Sequence, residues 1–273
     1  MAGAPGAGIV TAMELLASID GVITPSATAT IAVTDEGLLR GDGAFEVVRL
    51  YDGQPYAWED HRQRLATSAG NLRLKIDLRA LQAEVDALLA RAEGFDGQLR
   101  VFCTRGGRRV ALLEHVAAHG PTVSLATVAY APTRIMDGVK SLSYAANVLA
   151  TRLAVEAGAQ EALLCTPHGR VLEAPTSSFF YVVDDVLHTP PLDDHILASI
   201  TRRDVIALCG APERITVRDD LTRISEAFLA STTREVQAVA SIDGQSLPSA
   251  PGPHTERAAQ AFAAHVAGSL NRA

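Results

Sequence analysis

The sequence predicts an α/β protein of the α+β kind, with two domains in one subunit. The chain has 273 residues, more than one small hydrophobic core needs. Short apolar runs bounded by turn residues alternate with longer segments in which apolar residues recur at helical spacing. The segment at 131–134, which contains a proline, interrupts this pattern near the middle of the chain, and we interpret it as a linker.

These observations divide the chain into four segments. They are a loose N-terminal tail at 1–12, a small N-terminal α+β domain at 13–130, a linker at 131–136 and a large C-terminal domain at 137–273.

In the first domain, Asp52-Gly53 lies between two β-rich runs, which indicates a hairpin. Asp77 is a candidate N-cap for a helix whose apolar residues share one face. The predicted elements are a strand and turn at 18–21, strands at 44–50 and 54–58, helices at 59–71 and from 77 onward, and strands at 98–104 and 122–130.

Strands and helices continue to mix in the second domain, with no internal repeat. The predicted elements are helices at 144–157, 199–209 and 254–270, a strand at 161–166, and extended chain around a turn at 171–183.

Charge and apolar content argue against several classes of partner. A net charge of −7 disfavours binding to the phosphate backbone of nucleic acid. No apolar stretch approaches the roughly 20 residues that cross a bilayer, and the start of the chain lacks the features of a secretory signal. Three widely spaced cysteines predict buried free thiols, not disulfides or a metal site. We therefore expect a cytoplasmic protein with no nucleic acid, membrane or metal partner.

Short signatures of nucleotide, zinc and serine hydrolase sites are absent from the sequence. Longer motifs are more informative because they occur in a fixed order over nearly the whole chain. They are GDGAFE at 41–46, EDHRQRLATS at 59–68, TRG at 104–106, VKSLSY at 139–144, a glutamate at 173, TPP at 189–191, ITR at 200–202 and STTREV at 231–236.

In these motifs the chain resembles the class IV aminotransferases, the fold-type IV enzymes that use pyridoxal 5'-phosphate (PLP). The resemblance implies a two-domain subunit with PLP in the interdomain cleft, held mainly by the C-terminal domain. It also implies a homodimer, with an amino acid and a 2-keto acid as substrates.

Lys140 is the lysine that the resemblance assigns to the Schiff base with PLP. Such an enzyme needs one deprotonated amine to hold the cofactor aldehyde and to move the substrate's α-proton. The chain has two lysines, and Lys75 has the polar flanks of a surface helix end. A single lysine is usually a solvated charge, but Lys140 lies within the matching motif just before a predicted helix, so we interpret it as catalytic.

The resemblance implies further contacts to PLP, each with a structural alternative such as a solvated surface charge or a core tyrosine. A carboxylate would keep the pyridine nitrogen protonated, and a cation, hydroxyls and helix N-terminal amides would hold the phosphate. The assigned residues are Glu173 at the nitrogen, Tyr144 near the 3'-oxygen, and Arg64, Ile200, Thr201 and Thr232 at the phosphate.

Four residues are implied in substrate binding, namely Arg40, Phe45, Arg105 and Thr233. A substrate carboxylate needs cations or N–H groups, because a buried unpaired charge is costly. Phe45 stands where D-amino acid aminotransferases have a tyrosine, so the carboxylate must be held differently here. The two arginines have an alternative interpretation as solvated loop cations.

The chain departs from the family pattern at Ser199, where a glycine is usual, and at Ser178, where an asparagine is usual. Three functions are open at this point. Transamination with a D-amino acid or a broad or branched-chain amino acid is the first. Aminodeoxychorismate lyase activity, which forms 4-aminobenzoate in folate synthesis, is the alternative, and a scaffold that has lost its chemistry is the third.

Overall fold

The computed structural model describes residues 14–272, so the predicted tail at 1–12 lies outside the described residues. Two β-sheets are present, each with its own helices. No helix within 14–272 has the length and apolar character needed to span a bilayer.

The first sheet has six strands in the order β2-β1-β6-β5-β3-β4, and every neighbouring pair is antiparallel. Its strands are β1 (Leu16–Ile19), β2 (Val22–Pro25), β3 (Gly43–Tyr51), β4 (Gln54–Pro55), β5 (Gly97–Thr104) and β6 (Arg109–Glu114). The accompanying helices are α1 (Glu36–Arg40), α2 (Trp58–Asn71) and α3 (Leu78–Arg91).

Helices α2 and α3 pack on the first sheet through apolar residues at helical spacing. Asp77 caps α3 by accepting hydrogen bonds from the backbone of Arg79 and Ala80, both at 3.0 Å. Leu81 and Val85 lie one turn apart on α3 and are buried in the first core. The N-cap and the apolar face predicted from the sequence therefore fix this helix where it was expected.

The second sheet has seven strands, with β10-β9-β11-β12-β7-β8 in order and β13 paired to β12. Its strands are β7 (Thr122–Ala129), β8 (Glu161–Cys165), β9 (Ser178–Val183), β10 (Val186–His188), β11 (Glu226–Ser231), β12 (Glu235–Ile242) and β13 (Gln245–Ser246). Its helices are α4 (Ala145–Glu156), α5 (Ile200–Cys209) and α6 (Pro253–Leu270).

Helices α5 and α6 cover one side of this sheet, where the stacked rings of Phe180 and Phe228 meet Phe262 of α6. Helix α4 packs on β7 and β8 through Ala150 and Ala154. Small residues at these two positions let the helix approach the strands closely.

One assignment made from the sequence is wrong. The strand predicted at 122–130 was placed in the first domain, but β7 pairs in parallel with β8 and β12 of the second sheet. Strand β7, helix α4 and strand β8 form a β-α-β unit, in which parallel strands need a crossover helix. The change of sheet thus falls at 115–121, and the two-domain division with a linker at 131–136 stays a prediction.

The two sheets meet where the chain leaves the linker. The backbone N–H of Phe45 donates to the carbonyl of Lys140 at 3.0 Å, and that of Leu142 donates to the carbonyl of Gly43 at 2.9 Å. A Cβ atom on Gly43 would lie 2.5 Å from the carbonyl oxygen of Cys103 and 2.5 Å from Leu142 Cδ1. Because the backbone oxygen cannot readily move, a glycine is required here. The start of β3 therefore fixes the segment that carries Lys140.

Candidate active site

Lys140 lies at this junction and is partly buried. Its Nζ is 4.4 Å from the centre of the Phe45 ring, and its backbone N–H donates to Ser68 Oγ of α2 at 3.0 Å. Burial lowers the pKa of Lys140 to about 8, although the carboxylates of Glu46 and Glu173 oppose the shift. A fraction of this amine is therefore unprotonated at neutral pH.

Arg64 lies on α2 within a buried cluster with Glu46 and His61. Arg64 Nε and Nη2 donate to the two carboxylate oxygens of Glu46 at 2.8 and 2.7 Å. His61 Nδ1 lies 2.8 Å from Glu46 Oε2. Burial would raise the pKa of Glu46, but the hydrogen bonds and charges of Arg64 and His61 lower it to about 2. Glu46 is thus an anion that fixes the direction of the Arg64 guanidinium.

Glu173 lies in the segment between β8 and β9, and its charge acts on Lys140. Its Oε1 accepts a hydrogen bond from the backbone N–H of Leu197 at 2.9 Å, and its Oε2 accepts a long one from Ser178 Oγ at 3.4 Å. Burial raises the pKa of Glu173 to about 7, while Leu197, Lys140 and Arg202 oppose the shift. No guanidinium or ammonium nitrogen within residues 14–272 lies within 4.0 Å of this carboxylate.

The N-terminus of α5 lies beside Arg64. Arg64 Nη1 donates to the carbonyl of Ala198 at 3.1 Å, directly before the N-cap Ser199. Ile200 and Thr201 are the first two helical residues, where backbone N–H groups have no partner in the helix. A guanidinium and free amides at a helix N-terminus form a site suited to a phosphate group.

Tyr144 precedes α4 and packs edge-on against Phe45, with ring centroids 5.4 Å apart. Its hydroxyl donates to the carbonyl of Pro175 at 2.6 Å, and Asn147 Nδ2 donates to the same carbonyl at 2.9 Å. Burial raises the pKa of Tyr144, and Glu173 and Glu161 raise it further, so the phenol stays neutral. This pair of hydrogen bonds joins α4 to the turn that follows Glu173.

Thr232 and Thr233 lie in the turn between β11 and β12 and are partly buried. Arg40 and Arg105 are placed differently. Arg40 ends α1 with an exposed side chain and pairs with Glu36 at 2.6 Å.

Arg105 donates to both carboxylate oxygens of Asp42, at 2.7 and 3.1 Å, and to the carbonyls of Leu72 and Arg73. Phe45 contacts Lys140, Tyr144 packs on Phe45, and the charges of Arg64 and Glu173 act on the amine. Arg40 and Arg105 are instead each paired with a carboxylate, Glu36 and Asp42 respectively.

Sequence reasoning gave no role to Glu46, His61, Asn147 or Arg100. The Arg100 guanidinium lies 5.9 Å from the centre of the Phe45 ring and pairs with Glu114 at 2.8 Å. A charged residue within an otherwise apolar strand was the available signal for Glu46 and Arg100, because such a residue in a core needs a partner or a ligand.

A family model described as amino-transferase class IV matches residues 43–242, well over half of the chain. The chain belongs to the class IV aminotransferases. The aminotransferase is therefore a PLP-dependent enzyme of fold type IV, which confirms the predicted family, fold and cofactor.

Similar proteins cover nearly the full aminotransferase. The D-alanine aminotransferase of Bacillus licheniformis is 30% identical over 266 residues, which is 87% of this chain and 92% of that protein. A putative branched-chain-amino-acid aminotransferase of Methanocaldococcus jannaschii is 32% identical over 255 residues, with 83% and 88% covered. The PLP-bound form of a hypothetical aminotransferase from Mycobacterium tuberculosis has a TM-score of 0.84 at 26% identity, covering 93% of this chain and 99% of that one.

The site residues fit PLP on three independent grounds. Lys140 supplies an amine whose pKa is lowered toward neutrality, as attack on an aldehyde requires. Within the described part of the chain, Glu173 is a carboxylate without a cationic partner in direct contact, which suits a protonated ring nitrogen. Arg64 and the N-terminus of α5 suit the phosphate.

Proposed function

We propose that this aminotransferase moves an amino group between an amino acid and a 2-keto acid, with Lys140 as the residue that binds PLP covalently. The observation that carries the proposal is the environment of Lys140, a partly buried amine with a pKa of about 8 next to Phe45 and facing Glu173. The amino acid is a D-amino acid or a branched-chain one, as in the names of the two relatives, or the specificity is broad.

Bound PLP supplies an electron-withdrawing ring that stabilises negative charge at the substrate's α-carbon. Lys140 Nζ accepts the α-proton, because its lowered pKa leaves part of the amine unprotonated near pH 7. The Phe45 ring covers one side of this amine, with its centre 4.4 Å from Nζ. Proton transfer is thus assigned to a single side chain.

The other residues would hold the cofactor in place. Glu173 would keep a proton on the ring nitrogen. A protonated ring nitrogen would in turn supply the positive charge that compensates the Glu173 carboxylate. Arg64, held by Glu46, would bind the phosphate together with the amides of Ile200 and Thr201. Thr232 adds a hydroxyl at the phosphate and Tyr144 lies near the 3'-oxygen, as the resemblance implies.

Two arginines are candidates for the contact to the substrate carboxylate. Arg105 would have to exchange Asp42 for a substrate carboxylate, whereas Arg40 ends helix α1 with an exposed side chain that pairs with Glu36 of the same helix. We therefore favour Arg40 as the carboxylate contact, with Thr233 as a hydroxyl contact and Phe45 as an apolar wall.

We propose that the enzyme is a homodimer, as the resemblance implies. Helix α4 exposes Val148, Leu149, Leu153 and Val155, and the linker exposes Ile135. Contiguous exposed apolar side chains on one helix are typical of a protein interface. Sedimentation of the wild type and of Leu149→Glu tests this, and a wild type that stays monomeric at high concentration would contradict it.

The function is tested by half-reactions followed through the cofactor spectrum. Purified enzyme is mixed with D-alanine, L-leucine, other D- and L-amino acids and a chiral primary amine, and loss of the aldehyde absorbance is recorded. Borohydride reduction and peptide mapping then locate the cofactor. We expect the label on Lys140, and a label on Lys75 would contradict the assignment. Turnover of aminodeoxychorismate with no amino transfer would favour the lyase instead.

A further inference from the structure

The turn that joins β11 to β12 has an unusual conformation for the residues in it. Ser231 pairs with Glu235 across the hairpin, which leaves 232–234 as the loop. Glu235 has a φ of +57°, in the left-handed region that residues with a side chain seldom adopt. A residue keeps such a conformation where the surrounding structure holds it in place. The side-chain contacts of Arg234 and Glu235 show what holds this turn.

Arg234 reaches from this turn across the sheet. Its Nη2 donates to Glu161 Oε2 of β8 at 2.8 Å, and both side chains are almost fully buried. Strand β7 lies between β12 and β8 in the sheet. The ion pair therefore passes over β7, which provides neither of its two residues. Glu161 Oε1 also accepts a hydrogen bond from Thr151 Oγ1 of α4 at 2.6 Å. Arg234 thus links the turn to the helix that follows Lys140.

Glu235 reaches in the other direction, to the first sheet. Its Oε1 accepts a hydrogen bond from the Tyr51 hydroxyl at 2.7 Å. Tyr51 ends β3, the strand that carries Phe45 and Glu46. Burial and the Glu235 carboxylate raise the pKa of Tyr51, so the phenol keeps the proton that it donates.

We propose that Arg234 and Glu235 are positioning residues that fix the Thr232–Thr233 turn between α4, the helix that follows Lys140, and β3, the strand that carries Phe45. This inference rests on the proposed function, in which the two threonines contact the cofactor phosphate and the substrate. The β11–β12 hairpin does not need either link to form, because four ladder pairs already hold it. Both links instead lead to elements that are not neighbours of the hairpin, which suits a role in aligning the site.

Tyr51→Phe is the most selective test, because it removes only the hydroxyl that holds Glu235. Tyr56→Phe is the matched control. The Tyr56 hydroxyl also donates to a carboxylate, Asp204, at 2.9 Å, and the two tyrosine rings touch edge-on. The control therefore loses the same chemical group from the same cluster without touching the turn.

For Tyr51→Phe we expect the dissociation constant of PLP, measured by absorbance titration of the apo-protein, to rise about 5- to 30-fold. A hydrogen bond to a charged group is worth roughly 12- to 160-fold, and only a part of that effect passes to PLP, because Tyr51 acts on the cofactor through Glu235. We expect KM for amino and keto acids to rise by a similar factor, with kcat within about threefold. Tyr56→Phe should leave the PLP affinity and KM within about twofold of the wild type.

A second variant, Arg234→Gln with Glu161→Gln, removes the buried pair without leaving one charge alone. We expect faster hydrogen exchange at the amides of 232–234 and a weaker PLP affinity, again of several-fold. Equal effects of Tyr51→Phe and Tyr56→Phe on PLP affinity, or none from either, would overturn the positioning role while the wild type still transaminates. A wild type that neither binds PLP nor transaminates would instead overturn the proposed function.

Discussion

Two carboxylates act on the charge of Lys140, Glu46 from β3 and Glu173 from the segment between β8 and β9, and their environments are opposite. Glu46 of the first sheet has no exposed surface, and three nitrogens of Arg64 and His61 bind it. Glu173, between strands of the second sheet, is bound by one amide and one distant hydroxyl. Burial raises the pKa of both groups, yet the final values are about 2 for Glu46 and about 7 for Glu173.

The difference in compensation of the two carboxylates indicates a different role for each. A buried anion is costly unless a cation and hydrogen bonds compensate it. At Glu46 the compensation is complete within the protein, so its charge is used to orient Arg64. At Glu173 the compensation is incomplete, and the missing partner is a cation that the cofactor ring nitrogen can provide. We therefore infer that the first group is part of the framework, and we propose that the second takes part in the chemistry.

The largest expected effect comes from Lys140, which faces both carboxylates. Lys140→Ala should reduce transamination by at least about 10²- to 10⁴-fold, because the base that moves the α-proton is lost along with the covalent step. PLP should still bind through the phosphate contacts. Steady-state rates and PLP titration check this, with Lys75→Ala as the matched control. A variant at Lys140 that retained a tenth of the rate would exclude this lysine from proton transfer.

Glu46→Gln is expected to lower the free energy of unfolding by about 3–5 kcal/mol, the effect of leaving a buried cation without its partner. The same change should weaken PLP binding, because Arg64 loses its fixed direction. Urea unfolding of the apo-protein measures the stability. Glu59→Gln is the control, since Glu59 pairs with Arg62 on the exposed side of the same helix and its loss should cost less than about 1 kcal/mol. Equal losses in both variants would remove the distinction between framework and surface.

The two carboxylates also show how far the sequence alone could lead. Lys140 and Glu173 were predicted because they lie in motifs whose order along the chain matches a family. The role of Glu46 was not predicted, although the residue is part of such a motif. His61 and Arg64 lie three apart on one face of α2, but their partner is on β3, and no local spacing gives the distance between a helix and a strand.

The fold was predictable to a similar degree. Most helices and strands lie where apolar spacing placed them, since each element buries one face. Strand β7 was assigned to the wrong sheet because it follows β6 closely in sequence, whereas its partners come from later in the chain. Pairing between distant strands depends on packing that a single sequence does not display.

Glu173→Gln should affect the reaction rate more than the stability, whereas Glu46→Gln should affect mainly the stability. We expect the stability of the apo-protein to stay level or rise, because an incompletely compensated buried charge is removed. Single-turnover α-proton removal with the best donor should slow about 10- to 100-fold, or roughly 1.4–2.7 kcal/mol in the barrier, as an amide does not hold the ring-nitrogen proton. Stopped-flow absorbance measures this step. Rates within twofold of the wild type would make Glu173 structural.

The pH dependence of apo-protein stability gives a finer distinction. The native pKa of Glu173, about 7, lies above its ordinary value of 4.5, so the native state binds more protons than the unfolded chain between these values. The contribution of Glu173 to stability is thus full below pH 4.5 and is lost as the pH rises to about 7, by about 3 kcal/mol in total. Glu46, with a native pKa of about 2, contributes fully above pH 4.5 and loses this as the pH falls toward 2.

Urea unfolding of the wild-type apo-protein and of Glu173→Gln between pH 4 and 8 tests this difference. The gap in unfolding free energy between the two proteins should change across the window from 4.5 to 7 and be constant outside it. A gap that does not vary with pH would mean that the native pKa of Glu173 is not raised above its ordinary value, and that groups of the protein compensate its charge for burial.

The smallest expected effect comes from Ser178, whose hydroxyl is the weaker of the two groups that bind Glu173. At 3.4 Å its hydrogen bond is at the limit of normal geometry, so Ser178→Ala should change the free energy of unfolding by less than about 1 kcal/mol. The hydroxyl favours the charged carboxylate, so its loss should raise the pKa of Glu173. The pH at which the contribution of Glu173 to stability is lost should then move upward.

Thr189→Ala is the control. It removes another buried hydroxyl, which donates to the carbonyl of Phe179, and it should leave that pH unchanged. If that pH does not change in Ser178→Ala, the Leu197 amide alone binds Glu173. The difference in compensation between Glu173 and Glu46 would then be larger than the hydrogen bonds of the structure indicate.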